Sequence, residues 1–519
     1  MFRNFFKYLL FLYTILNAQV YEGFTLFSIY PSHDTKKSYL IANDETIINT
    51  WEHNRGPASM PYLLPDSSVI YPYKIDSPSM EAGGVGGGIQ KIKWDGTIVW
   101  DFTFSDTKYQ HHHDIEVLPS GNILVIVWER KDDLEAFAAG RQMLNVMNEF
   151  WPPAILELET ETGNIVWEWH AWNHLIQDVN SSLANFGNIS EHPELIDINY
   201  GVIGDGNANA DWMHINSIDY NRQLDQIVIS SRNMNEFYII DHSTTTEESA
   251  TQTGGIYNKG GGILYRWGNP EVYKRGGSED RKLFGQHDVS WIESGYPGEG
   301  GLIIYNNGLG RPEGQYSTVD VVTPIIAEDG HYYISPNSSF PPEELSWTYG
   351  GIDLFYSGRQ SGAQRLANGN TLVTVAYSNR IFEVTLEKEI LWDYTFSNNS
   401  IAIPRARKYG IEYLNSNYLK NLKNHSKVDS YLLQNFPNPF NPNTTFIYNL
   451  RQDGFVNITI YDLRGRKIKT LLNGLADAGI NKINWDGCDI FDQPMPSGAY
   501  FYKLETENTI ETKQMLLLK

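Results

Sequence analysis

Along most of the chain, apolar and polar positions alternate with a period of two. The alternating runs are short and are punctuated by Gly, Asn, Asp and Pro, which is the pattern of strands and tight turns. One unit recurs: a strand, a turn and a second strand ending in Trp. It reads SYLIANDETIINTWEH, IQKIKWDGTIVWDF, AILELETETGNIVWEW and RIFEVTLEKEILWDY, closing on Trp51, Trp100, Trp167 and Trp392. A second unit reads YLLPDSSVIY, EVLPSGNILVIV and QRLANGNTLVTV, and places Leu64, Leu118 and Leu366 before a turn. The turns at Trp94-Asp95-Gly96, Ser120-Gly121-Asn122 and Asn368-Gly369-Asn370 carry the residues that tight hairpins demand. The spacing from Trp51 to Trp100 falls in the ~40–50 residues of a four-stranded propeller blade. Residues 19–410 therefore predict a β-propeller of roughly five to seven blades, six preferred, with the recurring Trp packed between neighbouring blades.

The pattern changes beyond this. Residues 411–430 are polar and read as a linker. Residues 431–519 alternate over 446–450, 456–461, 482–485 and 499–504, and Pro437, Pro439 and Pro442 exclude a helix before them. A small immunoglobulin-like β-sandwich is expected there, which makes the fold class all-β: a six-bladed propeller followed by a sandwich. At the other end, Arg3 and Lys7 precede an apolar run over 8–16, and Ala18 offers a small residue for cleavage. Residues 1–18 read as a signal peptide, too short in its apolar part to span a bilayer, so the chain is expected to be exported with no membrane span.

Composition narrows the function. The net charge of −22 argues against nucleic acid as a partner, because phosphate binding needs clustered Lys and Arg. The single cysteine, Cys488, excludes an intramolecular disulfide and a Cys-ligated zinc site. The glycine run at 83–88 (GGVGGG) lacks the dinucleotide spacing and precedes a strand, so it reads as a loop. No P-loop, GxSxG or HExxH occurs, and no cofactor or metal is called for.

The candidate chemistry lies in the 13 histidines. Residues 109–114 (YQHHHD) open a strand whose alternation places His111 and His113 on one face and His112 on the other. An HxH pair can bind zinc or copper, but only Asp114 offers a further ligand nearby, so a buried, hydrogen-bonded His is the plainer reading. His214 lies in 211–217 (DWMHINS), and His287 in 286–288 (QHD). Arg311 closes 306–311 (NNGLGR), where the plainer reading is a turn Arg before Pro312. Two His and one Arg at strand ends of different blades could converge on a central channel. Such a set suits a tetrahedral oxyanion, with Arg as a planar double donor and His as donor, base or nucleophile.

These pieces resemble the bacterial arylsulfotransferases: 211–217, Arg232 in SSRN, 265–270 (YRWGNP), 286–288, 306–311 and 361–372 (SGAQRLANGNTL). The resemblance spans residues 22–405. It implies a six-bladed propeller that moves a sulfuryl group from a phenolic sulfate donor to a phenolic acceptor without the nucleotide donor PAPS, by a ping-pong route through a sulfated histidine. His214, His287 and Arg311 match the family's catalytic positions, with Asn306 where the family motif has Asp. His113, Arg232 and Arg380 are second choices for oxygen binding. The resemblance also implies a nucleophilic His in the strand after NGNTL, yet residues 373–382 contain none, and Arg380 lies near the expected position. Another His takes over, a different strand supplies it, or the protein is a non-enzymatic secreted propeller that binds sulfated aromatic or carbohydrate ligands. The C-terminal segment resembles the sorting domain of the type IX secretion system, through 435–442, 461–465, 485–487, 497–502 and the apolar tail. That implies the type IX machinery as a partner and a secreted or surface location.

Overall fold

A computed structural model describes residues 19–31, 36–142, 148–201, 210–327, 331–397, 400–413 and 431–432, and then 435, 438, 440–450, 453–477, 479–491, 493–507 and 509–518. The expected signal peptide, linker residues 414–430 and three residues of the 435–442 motif lie outside them. Strands dominate, and the two α-helices described, Asp133–Ala138 and Thr246–Ser249, are short. No helix among the described residues is long and apolar enough to cross a membrane. The chain forms two compact units, the main body of the first ending at Tyr409 and that of the second starting at Gly410.

Among the described residues, the first unit contains six four-stranded sheets. Their first strands are Tyr62–Leu63, Tyr109–Val117, Ile215–Asn221, His287–Trp291, Gly362–Arg365 and Ala406–Gly410. Five sheets are consecutive in sequence. The sixth takes Ala406–Gly410 from one end of the unit and Gly23–Ser28, Lys36–Ala42 and Ile47–His53 from the other, so it joins the two ends of the unit in one hydrogen-bonded ladder. Burial follows the same order. Ile123–Glu129, second in its sheet, is buried throughout, whereas the outermost strand Ile98–Thr103 is partly or fully exposed along its length.

The hairpin turns obey the local chemistry read from the sequence. Leu64, Leu118 and Leu366 each donate a backbone N–H across a turn, to Ser68, Asn122 and Asn370. Gly121 and Gly369 hold φ of 91° and 93° there, and Ser67 takes the same left-handed conformation at 68°. Trp51, Trp167 and Trp392 lie between sheets: their indole N–H groups donate to Lys93 O, Thr244 Oγ1 and Asn43 O on the adjoining sheet. Trp100 packs instead on Phe102 of its own strand.

Neighbouring first strands diverge too far for a continuous ladder, and side chains fill the gap. Asp114 accepts from Ile218 N, Ser217 from Val289 N, and Asp288 from Ala363 N. Each buried N–H is thereby paired by an acceptor one strand back.

The second unit has a four-stranded sheet, ordered Lys467–Ala476, Gly454–Asp462, Gly498–Glu505, Ile510–Leu517, and a three-stranded sheet that includes Thr444–Leu450 and Gly479–Trp485. They share one core of Phe440, Phe446, Ile458, Trp485, Tyr502 and Leu517.

Candidate functional site

The histidines meet where the first strands begin. In three successive strands the ladder slips at this level, and a non-glycine residue adopts a left-handed backbone: His113 at 58°, His214 at 52° and Asp288 at 54°. Such conformations are unfavourable for residues with a Cβ and persist only where the surroundings impose them. The slip in the strand Tyr109–Val117 also overturns the simple alternation expected for the HHH run. His112 and His113 both approach His214, with ring centroids 5.0 Å from it, while His111 Nδ1 accepts from Gly87 N on another side.

Each imidazole has a defined orientation. His214 Nδ1 bonds the Asp211 carboxylate, which also accepts from the Trp128 indole at 2.9 Å. A carboxylate can only accept, so the proton sits on Nδ1 and His214 Nε2 presents a lone pair. That Nε2 lies 3.1 Å from His113 Nε2, so His113 is the donor of the pair. His287 Nδ1 donates to Asn307 Oδ1 at 2.8 Å and towards Gly285 O at 3.1 Å. Asn307 cannot turn over, because its Nδ2 donates to Ser357 O and Gln360 O. His287 Nε2 therefore carries the free lone pair. Its ring lies 6.3 Å from that of His113. Burial, with Arg232 nearby, lowers the His287 pKa to about 3. Burial likewise takes His112 and His113 well below the ordinary value, with the neighbouring His rings adding to the effect. These three rings are neutral at physiological pH.

The motif residues around them hold the strands in place. Asn216 Nδ2 donates to Gln286 O, and Gln286 Nε2 in turn bonds Ser230 Oγ, Ser231 O and Glu236 O. Arg232 N donates to His214 O, and the charge of Arg232 reaches His287. The glycine run at 83–88 passes over the histidines. A Cβ on Gly84, at φ 78°, would stand 2.0 Å from His113 Nε2, and one on Gly83 would meet His214 Cε1 at 3.5 Å.

Of the residues anticipated from the sequence, His113, His214, His287 and Arg232 come together. Arg311 stacks on Phe284 and Tyr316, 5.0 and 4.4 Å from the ring centroids, and donates weakly to Thr318. Arg380, on the third strand of its sheet, forms a two-bond pair with Asp393 on the fourth. Asn306 ties the segment to Phe284 N, Lys282 O and Asp320, so Asn307 is the member of that motif that reaches a histidine. The sequence reading missed His112, Asn307 and Lys74, whose charge reaches His113. No period-two signal finds His112, because the slipped ladder brings it to the same side as His113.

One step further along the same strands lies an ion network. Arg405 bonds Asp288 at 2.6 Å, Asp114 at 2.5 Å, Tyr62 OH at 2.7 Å and Ser59 Oγ at 3.0 Å. Arg407 makes two further bonds to Asp288. Beyond it, burial raises the pKa of Glu116 well above the usual range and that of Asp219 to about 7. A separate cavity of about 350 Å³, lined by Pro193, Tyr257, Tyr332 and Phe340, contains none of the clustered histidines.

No curated relative matches the chain. Similar solved structures include a Bacteroides caccae protein of unknown function (TM-score 0.41, 10% identity, 74% of this chain and 98% of that one). Others are a Lactobacillus plantarum protein (0.35, 10%, 89% and 99%) and virginiamycin B lyase from Staphylococcus aureus (0.32, 12%, 73% and 88%). The sequence model of the arylsulfotransferase (ASST) family matches residues 84–403, more than half of the chain and all four clustered histidines, and the protein belongs to that family.

Proposed function

We propose that the protein is an aryl-sulfate sulfotransferase built on a six-bladed propeller, moving a sulfuryl group from a phenolic sulfate ester to a phenol. The observation that carries this reading is the free Nε2 of His287, whose ring lies 6.3 Å from that of His113, itself bonded to the His214 of the Asp211–His214 pair. Sulfuryl transfer resembles phosphoryl transfer in its loose transition state, with charge on the equatorial oxygens and the leaving oxygen. It needs an aligned nucleophile, fixed donors around sulfur and a proton for the phenolate.

His287 Nε2 attacks sulfur, the bond from sulfur to the aryl oxygen breaks, and the phenolate leaves. The phenolate takes its proton from solvent. The N–S bond of the sulfated His287 then breaks as the acceptor phenol attacks, its proton passing to the Nε2 lone pair of His214 and from there to solvent. Arg232, Lys74 and the N–H of His113 take the sulfuryl oxygens. In this scheme His287 replaces the nucleophile missing from residues 373–382. The C-terminal sandwich acts as a type IX sorting domain and the N-terminal residues as a signal peptide, giving an exported protein.

The test is release of 4-nitrophenol from 4-nitrophenyl sulfate with and without added phenol. Acceptor-dependent release that disappears in His287→Ala is expected. The missing family histidine favours a second reading, a propeller that binds sulfate esters without turnover. Binding of 4-nitrophenyl sulfate with no release under any condition would select that reading.

A further inference from the structure

His112 has no part in the scheme above, and its surroundings are unusual. It is fully buried, and neither ring nitrogen closes a hydrogen bond of good geometry. Its ring is stacked on Trp128, 3.9 Å between centroids and 25° between planes, so its direction is fixed. Buried polar groups are almost always paired, and an orphaned imidazole at a functional site points to an absent partner. One ring nitrogen from each of His112, His113 and His214 lies within 4.8 Å of the others.

We propose that His112, His113 and His214 bind a divalent transition-metal ion of the zinc class. Ligands 2.0–2.1 Å from a tetrahedral zinc stand about 3.4 Å apart, close to the observed separation of the two Nε2 atoms. Those two atoms lie 3.1 Å apart and share one proton, at a place where a cation would bind both lone pairs. The supporting groups are those of a metal site. Asp211 holds His214 by the nitrogen facing away from the cluster, and Trp128 anchors Asp211 while stacking on His112. The Gly83 carbonyl lies towards His112 as an acceptor for its other nitrogen. Metal-ligating histidines ordinarily donate that second N–H to a carboxylate or carbonyl. An all-imidazole set selects zinc, copper or cobalt over magnesium or calcium. Three protein ligands leave one position open for water or for an oxygen of an anionic ligand.

A metal held by His113 and His214 would occupy the nitrogens that the scheme above uses for oxygen binding and proton transfer, so this inference is an alternative to those two roles, and its test uses no substrate. Full-length protein, dialysed against chelator, is titrated with Co²⁺. One equivalent per chain is expected, with the visible bands of tetrahedral cobalt, and Zn²⁺ should displace it. His112→Gln, His113→Gln and His214→Gln should each weaken binding by roughly tenfold or more, and Asp211→Asn by about 10–100-fold. His192→Gln, partly exposed and remote in sequence from the cluster, should bind as wild type. If His112→Gln does not fold, His113→Gln and Asp211→Asn decide. No bound equivalent, or binding unchanged in those two variants, overturns the proposal. Acceptor-dependent sulfuryl transfer by metal-free protein is measured separately, so either reading can fail without the other.

Discussion

Two levels of the same strands behave in opposite ways. At the ladder slips, His112 has two orphaned ring nitrogens, His287 Nε2 keeps a free lone pair, and the backbones of His113 and His214 are left-handed. A step further along, Asp114 and Asp288 are saturated by Arg405, Arg407, Tyr62, Ser59 and backbone N–H groups. Both levels are polar and buried. The saturated one is a brace: it ties the first, second, fourth and fifth of the consecutive sheets to the strand Ala406–Gly410 and its preceding Arg405. The unsaturated one is the level at which the proposed chemistry and metal binding are to be tested, because buried polar groups left unpaired are costly.

The largest break in this comparison should come from His287→Ala. Sulfuryl transfer should fall by about 10⁴-fold or more, as for removal of a nucleophile, while the unfolding midpoint moves little. Retention of wild-type turnover would move the nucleophile elsewhere. Arg405→Met should do the reverse. It leaves Asp114 buried without its cation, and the expected loss is about 3–5 kcal/mol in urea unfolding. A loss under 1 kcal/mol would show that the network is not a brace. Asp211→Asn should lower transfer by about 10–100-fold with modest change in stability, since it removes the group that fixes the His214 tautomer.

A smaller effect separates the far end of the strands. Burial and the like charge of Glu293 raise the Asp219 pKa from 3.8 to about 7, although its bond from Trp291 N opposes the shift. A raised carboxyl pKa contributes stability that is complete below 3.8 and lost as pH rises through about 7. Asp219→Asn should therefore be more stable than wild type above pH 7, with the gap closing towards pH 4. Urea midpoints across that range check the sign, and a gap that widens on acidification would contradict it. The smallest effect is expected for Arg380→Ala. Its pair with Asp393 is partly exposed, so stability should change by about 0–1 kcal/mol and transfer not at all.

How far the site could be read from the chain varies residue by residue. Trp51, Trp167 and Trp392 were legible as inter-sheet residues, because a repeated aromatic at the end of a repeated hairpin has one place to go. His214 and His287 were legible as members of short motifs at strand starts. His112 was not, because a slipped ladder reverses the alternation that period-two reasoning assumes. Arg380 looks like an oxyanion ligand in sequence, but Asp393 engages it on two bonds, whereas Arg311 stacks on Phe284 and Tyr316 and keeps a buried Nε without a partner. Arg405 and Arg407 carry no motif, and their partners Asp114 and Asp288 lie more than a hundred residues away.

The amino-acid order by itself determined the strands, the tight turns, the repeat and the change of pattern before the C-terminal sandwich. All of these are local, set by side-chain alternation and by the backbone freedom of Gly, Asn and Asp. Only the tertiary structure decided which histidines share one space, which nitrogen of each is free, and which charges are already spoken for. Those depend on contacts between strands far apart in sequence, and on ladder slips that the local pattern does not encode.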